Sequence, residues 1–166
     1  MRARSLFAGL AAASLCAWSS AAQAEPVVSI EPRLDFAIPD DPRPGPGLAV
    51  GAGYSAELYP LLIMPELVLS GSVHPGDASF GQLRATAGLR AGVTAALEPS
   101  IYVHGGYGLL AGLGDASHGF AFDAGLALDK RLERGLTLGG ALGYQGHYGA
   151  ATLHGLVAAM RIGFWL

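Results

Sequence analysis

Apolar and polar residues alternate one by one through most of the chain, and this period of two constrains the fold more than any other feature. In LRATAGLRAGVTAAL, residues 83–97, every second residue from Leu83 to Leu97 is aliphatic, while Arg84 and Arg90 occupy intervening positions. Successive side chains of a β-strand point to opposite faces, so the pattern predicts a strand with one apolar and one polar face. The alternation recurs in eight segments. They are 28–38, 47–58, 63–74, 83–97, 100–110, 119–130, 136–148 and 153–166.

The segments are long for a globular sheet, where strands of about five or six residues are usual. At ~3.3 Å per residue and a tilt of ~40°, a strand of about eleven residues rises about 28 Å, enough for the ~25 Å apolar band of an outer-membrane barrel. An even number of strands returns both chain ends to the same side. The pattern therefore predicts an all-β fold, a closed eight-stranded antiparallel up-and-down transmembrane β-barrel.

The links between segments differ in length in an alternating way. The longer ones, rich in Pro, Gly and Asp, are 39–46, 75–81 and 111–118. The tighter ones lie near 59–62, 98–99 and 131–135. Short periplasmic turns and longer outer loops are typical of outer-membrane barrels, so we expect the first strand to start on the periplasmic side.

The N-terminal stretch 1–24 is expected to be a signal peptide and not part of the fold. A basic start precedes an apolar run over 6–18, and Ala-Gln-Ala at 22–24 has the small-x-small pattern of a cleavage site. We predict export, cleavage before Glu25, and a barrel formed by 25–166.

Composition and charge favour the same class of protein. Without Arg2 and Arg4, eight basic side chains stand against thirteen acidic ones, which argues against a nucleic-acid partner. Hydrophobic residues make up 51% of the chain and charged residues only 14%, where ~25% charged is usual for soluble domains. No stretch after the leader could form a membrane helix. An apolar, exported chain of this kind indicates a transmembrane barrel.

The orientation of the two faces separates two kinds of barrel. A soluble periplasmic lipocalin-like binding barrel would place the apolar rows inside and leave an outer face of small residues with few charges, which is poorly soluble. In the reverse arrangement the nearly uncharged rows contact lipid, and the charged side chains fill an interior just wide enough for them. We therefore expect the arginines to point inward, with the lipocalin-like barrel as the alternative.

Charges confined inside a barrel must pair. A symmetric turn in the third link would set Glu66 directly opposite Arg90, and closure of the barrel would bring Arg161 and Glu31 together near the periplasmic mouth. Pro32 predicts a bulge, or a first strand that effectively begins near Arg33, because proline cannot donate to a ladder. The predicted lumenal charge network comprises Glu31, Arg33, Asp35, Glu66, Arg84, Arg90, Asp123 and Arg161.

The leader, the eight alternating segments over 27–166, the Glu/Arg inner rows and the final segment LHGLVAAMRIGFWL resemble the small outer-membrane barrels of the OmpA and OmpX type. The resemblance is one of pattern. It implies residence in the cell outer membrane, contact with its lipid, insertion by the barrel-assembly machinery, a plugged charged interior, and a structural, adhesive or protective role. In such proteins an aromatic residue usually ends the last strand. Here the end is Phe-Trp-Leu at 164–166, so the aromatic is displaced.

Other functions have less support in the sequence. The five histidines, four of them near predicted outer strand ends, match no zinc spacing, and the glycine-rich stretches lie on strands with no following helix, so we expect neither metal nor cofactor. A lipid-modifying outer-membrane enzyme would need Ser, His and an acid on one outer face. Ser117 precedes His118, but the pairing typical of deacylases is missing, so we expect no catalytic residues. A small pore or hydrophobic-ligand channel is a further alternative. The sequence leaves the oligomeric state open.

Overall fold

The computed structural model describes residues 23–38, 44–76, 79–112, 116–132 and 135–166. Most of the predicted signal peptide lies outside the described residues. Eight antiparallel strands form a closed barrel in sequence order, and β8 returns to pair with β1. The strands are β1 Gln23–Ala37, β2 Pro44–Leu58, β3 Leu61–His74, β4 Phe80–Val93, β5 Glu98–Ala111, β6 Ser117–Arg131, β7 Leu136–Gly149 and β8 Thr152–Trp165. The predicted closed, eight-stranded, up-and-down barrel is confirmed. No helix among the described residues could span a membrane.

The links span two to six residues at one end of the barrel and two to four at the other. We call the end with the links after β1, β3, β5 and β7 the loop end. The other end, which has the remaining three links, the start of β1 and the end of β8, is the turn end.

The link after β4 lies at 94–97, where the amide of Thr94 donates to the carbonyl of Pro60 at 2.8 Å. The expected strand over 83–97 was therefore too long at this end, and the tight link near 98–99 was misplaced. The period of two continues through Ala95 and Leu97 and so does not distinguish strand from turn there.

The strands place their apolar rows outside and their charged rows inside. Leu126 and Leu142 are 65% and 68% exposed, whereas Arg90 and Asp123 are 3% and 8% exposed. A lipocalin-like barrel requires the opposite arrangement. The lipocalin-like alternative is therefore incompatible with the structure.

Pro32 does not cause a bulge. β1 already begins at Gln23, and its register with β2 is constant through Pro32, which pairs with Leu48. On the other side, the register with β8 is the same at Ile30 and at Arg33, but no pairs form at the two residues between them. The missing N–H of proline is thus accommodated by a gap in the β1–β8 ladder, and the expected bulge or late start was wrong.

Tyr102 shows how glycine makes room inside the barrel. Its side chain points inward from β5 and is 6% exposed. Gly125 and Gly143 pair across β6 and β7, and a Cβ added at Gly125 would lie 2.6 Å from the Tyr102 hydroxyl, with the Gly143 position closer still. Glycine at these two positions therefore leaves the space that the phenol ring fills.

We predict that Gly143→Val lowers the free energy of unfolding by about 1–3 kcal/mol, because the added carbons overpack the interior against Tyr102. The measurement is the temperature of heating before electrophoresis at which the band of folded protein disappears from the gel. Gly140→Val on the same strand is the control, since a Cβ there meets only the Ala159 carbonyl oxygen, at 3.5 Å. Equal shifts for the two variants would contradict the close approach.

Candidate functional site

The charged side chains inside the barrel form the candidate site. All eight predicted network residues occupy inward-facing positions, on β1, β3, β4, β6 and β8. None of their side chains is more than 14% exposed. An ionised group so far from water requires a partner of opposite charge or several hydrogen bonds, so the contacts of each one decide whether the site is stable.

The turn-side cluster consists of Glu31, Glu66, Arg90, Asp129 and Arg161. The Arg161 guanidinium contacts Glu31 at 3.0 Å, Asp129 at 2.8 Å and Glu66 at 3.6 Å. Arg90 contacts the same three carboxylates, Glu66 at 3.2 Å and the other two at 3.8–3.9 Å. Two arginines from β4 and β8 are thus shared by three acids from β1, β3 and β6.

The loop-side cluster consists of Arg33, Asp35, Gln82, Arg84 and Gln145. The Gln145 carbonyl oxygen accepts from Arg33 at 2.9 Å and from Arg84 at 2.6 Å. Asp35 accepts from Arg33 at 2.7 Å and from Gln82 at 3.1 Å. Two neutral amides therefore link the arginines with an acid. In this cluster hydrogen bonds to the amides help to stabilise the buried charges, whereas in the turn-side cluster additional carboxylates do so.

His104 connects the two clusters. Its Nε2 lies 2.9 Å from Glu66, and its Nδ1 lies 2.7 Å from Asp123, which in turn contacts Arg84 at 3.4 Å. Ionised carboxylates only accept hydrogen bonds, so a ring between two of them must donate from both nitrogens. In that state four arginines and His104 balance five carboxylates in one continuous network.

Two sequence-based details differ from the structure. The β3–β4 register pairs Glu66 with Gly88 and Arg90 with Met64, so Glu66 and Arg90 are diagonal and not directly opposite. They still meet, because diagonal neighbours on one face of a sheet are within reach of long side chains. Arg161 meets Glu31 near the middle of the barrel and not at its mouth, since β1 begins earlier than expected.

Sequence reasoning left four network members out of the predicted set: Gln82, His104, Asp129 and Gln145. Each lies on an inward row, so strand parity was the signal that could have found it. His104 was hardest to assign, because a single histidine on a polar row carries no indication of its partners. Those partners come from β3 and β6, on either side of its own strand in the sequence.

The other histidines divide between the two faces. His74 is buried and stacks on Phe80 with ring centroids 4.3 Å apart, and His147 also points inward. His118 and His154 lie on the outer face, where they contact Tyr107 and Tyr144. The structure does not bring Ser117 to His118, because these consecutive strand residues face opposite sides. Within the described ranges, no group of three or more His, Cys, Asp or Glu could hold a metal ion.

No family model and no curated protein matches the sequence. Solved structures do match: the crystal structure of Neisserial surface protein A (NspA) superimposes with a TM-score of 0.71 and 9% identity, over 87% of this chain and 99% of that one. The fold is that of a small outer-membrane barrel. The crystal structure of Ail, the attachment invasion locus protein of Yersinia pestis, matches with a TM-score of 0.52 and 11% identity, over 87% and 99% of the two chains. The resemblance inferred from the alternation is confirmed at the level of fold.

We predict that Arg90→Ala lowers the free energy of unfolding by about 3–5 kcal/mol, because removing one partner leaves buried carboxylates uncompensated. Thermal loss of the folded band, measured at neutral pH, reports the effect. The control is Arg43→Ala in the link between β1 and β2, for which a change below about 0.5 kcal/mol is expected. Equal losses in the two variants would count against the network as a source of stability.

Proposed function

We propose that this chain is an integral outer-membrane β-barrel, exported through a cleaved signal peptide and inserted by the barrel-assembly machinery. In this proposal it is not an enzyme, its interior is plugged by the charge network, and its role is structural or one of surface interaction. The single observation that carries the proposal is the inverted distribution of residues, with ionised side chains buried and aliphatic side chains exposed.

The apolar outer face of the barrel supports insertion into lipid. Strands of 14 or 15 residues exceed what the apolar band of an outer membrane requires. Exposed aromatic residues lie toward both ends of this face, as in the girdles of outer-membrane barrels. They are Tyr54, Tyr59 and Phe164 toward the turn end, and Tyr107, Phe120, Tyr144 and Tyr148 toward the loop end.

Contacts across the lumen support a plugged interior. Gln82 on β4 donates to Asp35 on β1, three strands away around the barrel, and Arg84 donates to the Phe122 carbonyl on β6 at 2.6 Å. On the loop-end side of the network, Phe80 and Leu110 belong to a buried apolar cluster with Ala37 and Leu153. An ion crossing the barrel would have to displace both the apolar cluster and the paired charges.

The proposed role is a structural one or a contact at the cell surface. The links at the loop end span only two to six residues, so they offer little surface for a partner. The matched structures are described as a surface protein and an attachment invasion locus protein. A structural role or a contact made mainly by the barrel wall fits short links better than recognition by long loops does.

Cell fractionation with a heat-modifiability gel tests insertion. We expect the chain in the outer-membrane fraction, with different mobilities before and after boiling. Leu142→Arg should reduce the folded band, since a basic residue near the bilayer midplane costs about 2–4 kcal/mol. Thr152→Arg at the loop end is the matched control and should insert normally. A soluble periplasmic chain without a mobility shift would overturn the proposal.

Recordings in planar bilayers test the plug. We expect purified, folded protein to give no steady conductance, because paired side chains and the apolar cluster fill the lumen. A double variant, Phe80→Ala with Leu110→Ala, is expected to remain closed as well, since the charge network persists beneath the cluster. A steady open channel in the unmodified protein would show that the barrel is a pore.

A further inference from the structure

An apolar groove crosses the outside of the barrel. Of the charge network only Arg33 is among its lining residues, and the Arg33 side chain is 7% exposed and already contacts Asp35 and Gln145. The groove has a volume of about 1430 Å³ and runs obliquely, from Val93 and Pro99 at the turn end, over β6, β7 and β8, to Leu34 and Pro46 toward the loop end. Rows of paired residues in a tilted barrel run oblique to its axis, so a groove that follows them climbs across the whole apolar outer face.

Small residues form the groove where neighbouring strands carry large ones. Ala158 pairs with Leu142, and Gly140 pairs with Met160. A Cβ at Gly140 would meet nothing closer than a carbonyl oxygen 3.5 Å away. Gly140 therefore differs from the inward glycines at 125 and 143, whose missing side chains make room for Tyr102, because its missing side chain leaves open space on the outer face.

Lys130 adds a charged group to the groove at the turn end of the barrel. It lies one residue before the end of β6 at the turn end, lines the groove and is exposed. Among the described residues it is the one lysine or arginine on an outward row, and no acidic side chain of that part of the chain pairs with it. An apolar trough with one exposed cation on its turn-end side is complementary to an acyl chain that carries a phosphate.

We propose that this groove binds a glycerophospholipid of the periplasmic leaflet, with an acyl chain along Gly140 and Ala158 and the phosphate at Lys130. The site rests on the proposed insertion into the outer membrane. The position of the cation selects the leaflet, because Lys130 lies at the turn end, where β1 starts and which the link lengths in the sequence predict to face the periplasm. A lysine stem packs along apolar surface while its ammonium group reaches the headgroup layer, so the same side chain serves both parts of the lipid.

Native mass spectrometry of protein released from phosphatidylglycerol nanodiscs tests the site. We expect the unmodified chain to retain one phosphatidylglycerol. Lys130→Gln should reduce retention about fivefold, the effect of one basic residue beside an anionic headgroup. Gly140→Leu should reduce retention further, because the added side chain fills the trough. Ala85→Leu, on an exposed outward position of β4 outside the groove, is the matched control and should retain lipid normally.

Several outcomes would overturn the site. They are equal retention in all four proteins, equal loss in Ala85→Leu and Gly140→Leu, retention of added lipopolysaccharide in place of phosphatidylglycerol, and dimers without lipid. Each protein is also run unboiled on a gel. If all four show the heat-dependent mobility shift while retention is equal, the lipid site fails and the barrel proposal stands. If the shift is absent in the unmodified chain, membrane insertion itself fails.

Discussion

The burial of ionised side chains in the barrel is the constraint on which the rest of the structure depends. The interior of an eight-stranded barrel is just wide enough for side chains to fill, so the charges buried in it need partners of opposite charge within the lumen. The five carboxylates, four arginines and His104 satisfy this requirement together, not as separate pairs. Glu66 alone contacts Arg90, Arg161 and His104, which come from three different strands.

This sharing of partners explains the composition of the inner rows. Long arginine side chains reach across the lumen only where facing positions are small, and glycine, alanine and serine fill much of the remaining interior. The pairing of Gly125 with Gly143 beneath Tyr102 is the plainest instance. Tyr102 in turn lies 5.3 Å from the Arg90 guanidinium, so the glycine pair indirectly positions a member of the network. The packing of side chains inside the barrel and the neutralisation of its charges therefore depend on each other.

The outer surface follows from the same division of residues. With the charges inside, almost the whole outer face is apolar, and its relief depends on side-chain size alone. Where Ala158 and Gly140 adjoin leucine and methionine, that relief becomes a continuous groove, and Lys130 lines it at the turn end. The match with NspA at 9% identity shows how little specific sequence the fold needs when alternation and strand length are kept.

The sequence by itself determined the number of strands, their order and the face of each residue, because the period of two depends only on the geometry of an extended chain. It therefore placed the eight charged residues of the predicted set on inward rows, although it left Asp129 and His104 out of that set. Only the tertiary structure decided which charges meet. The two-residue difference in the β3–β4 register, the end of β4 at Val93 and the bridging position of His104 depend on turn geometry and barrel closure. Residues brought together by closure are far apart in the chain, and no local pattern records their distance.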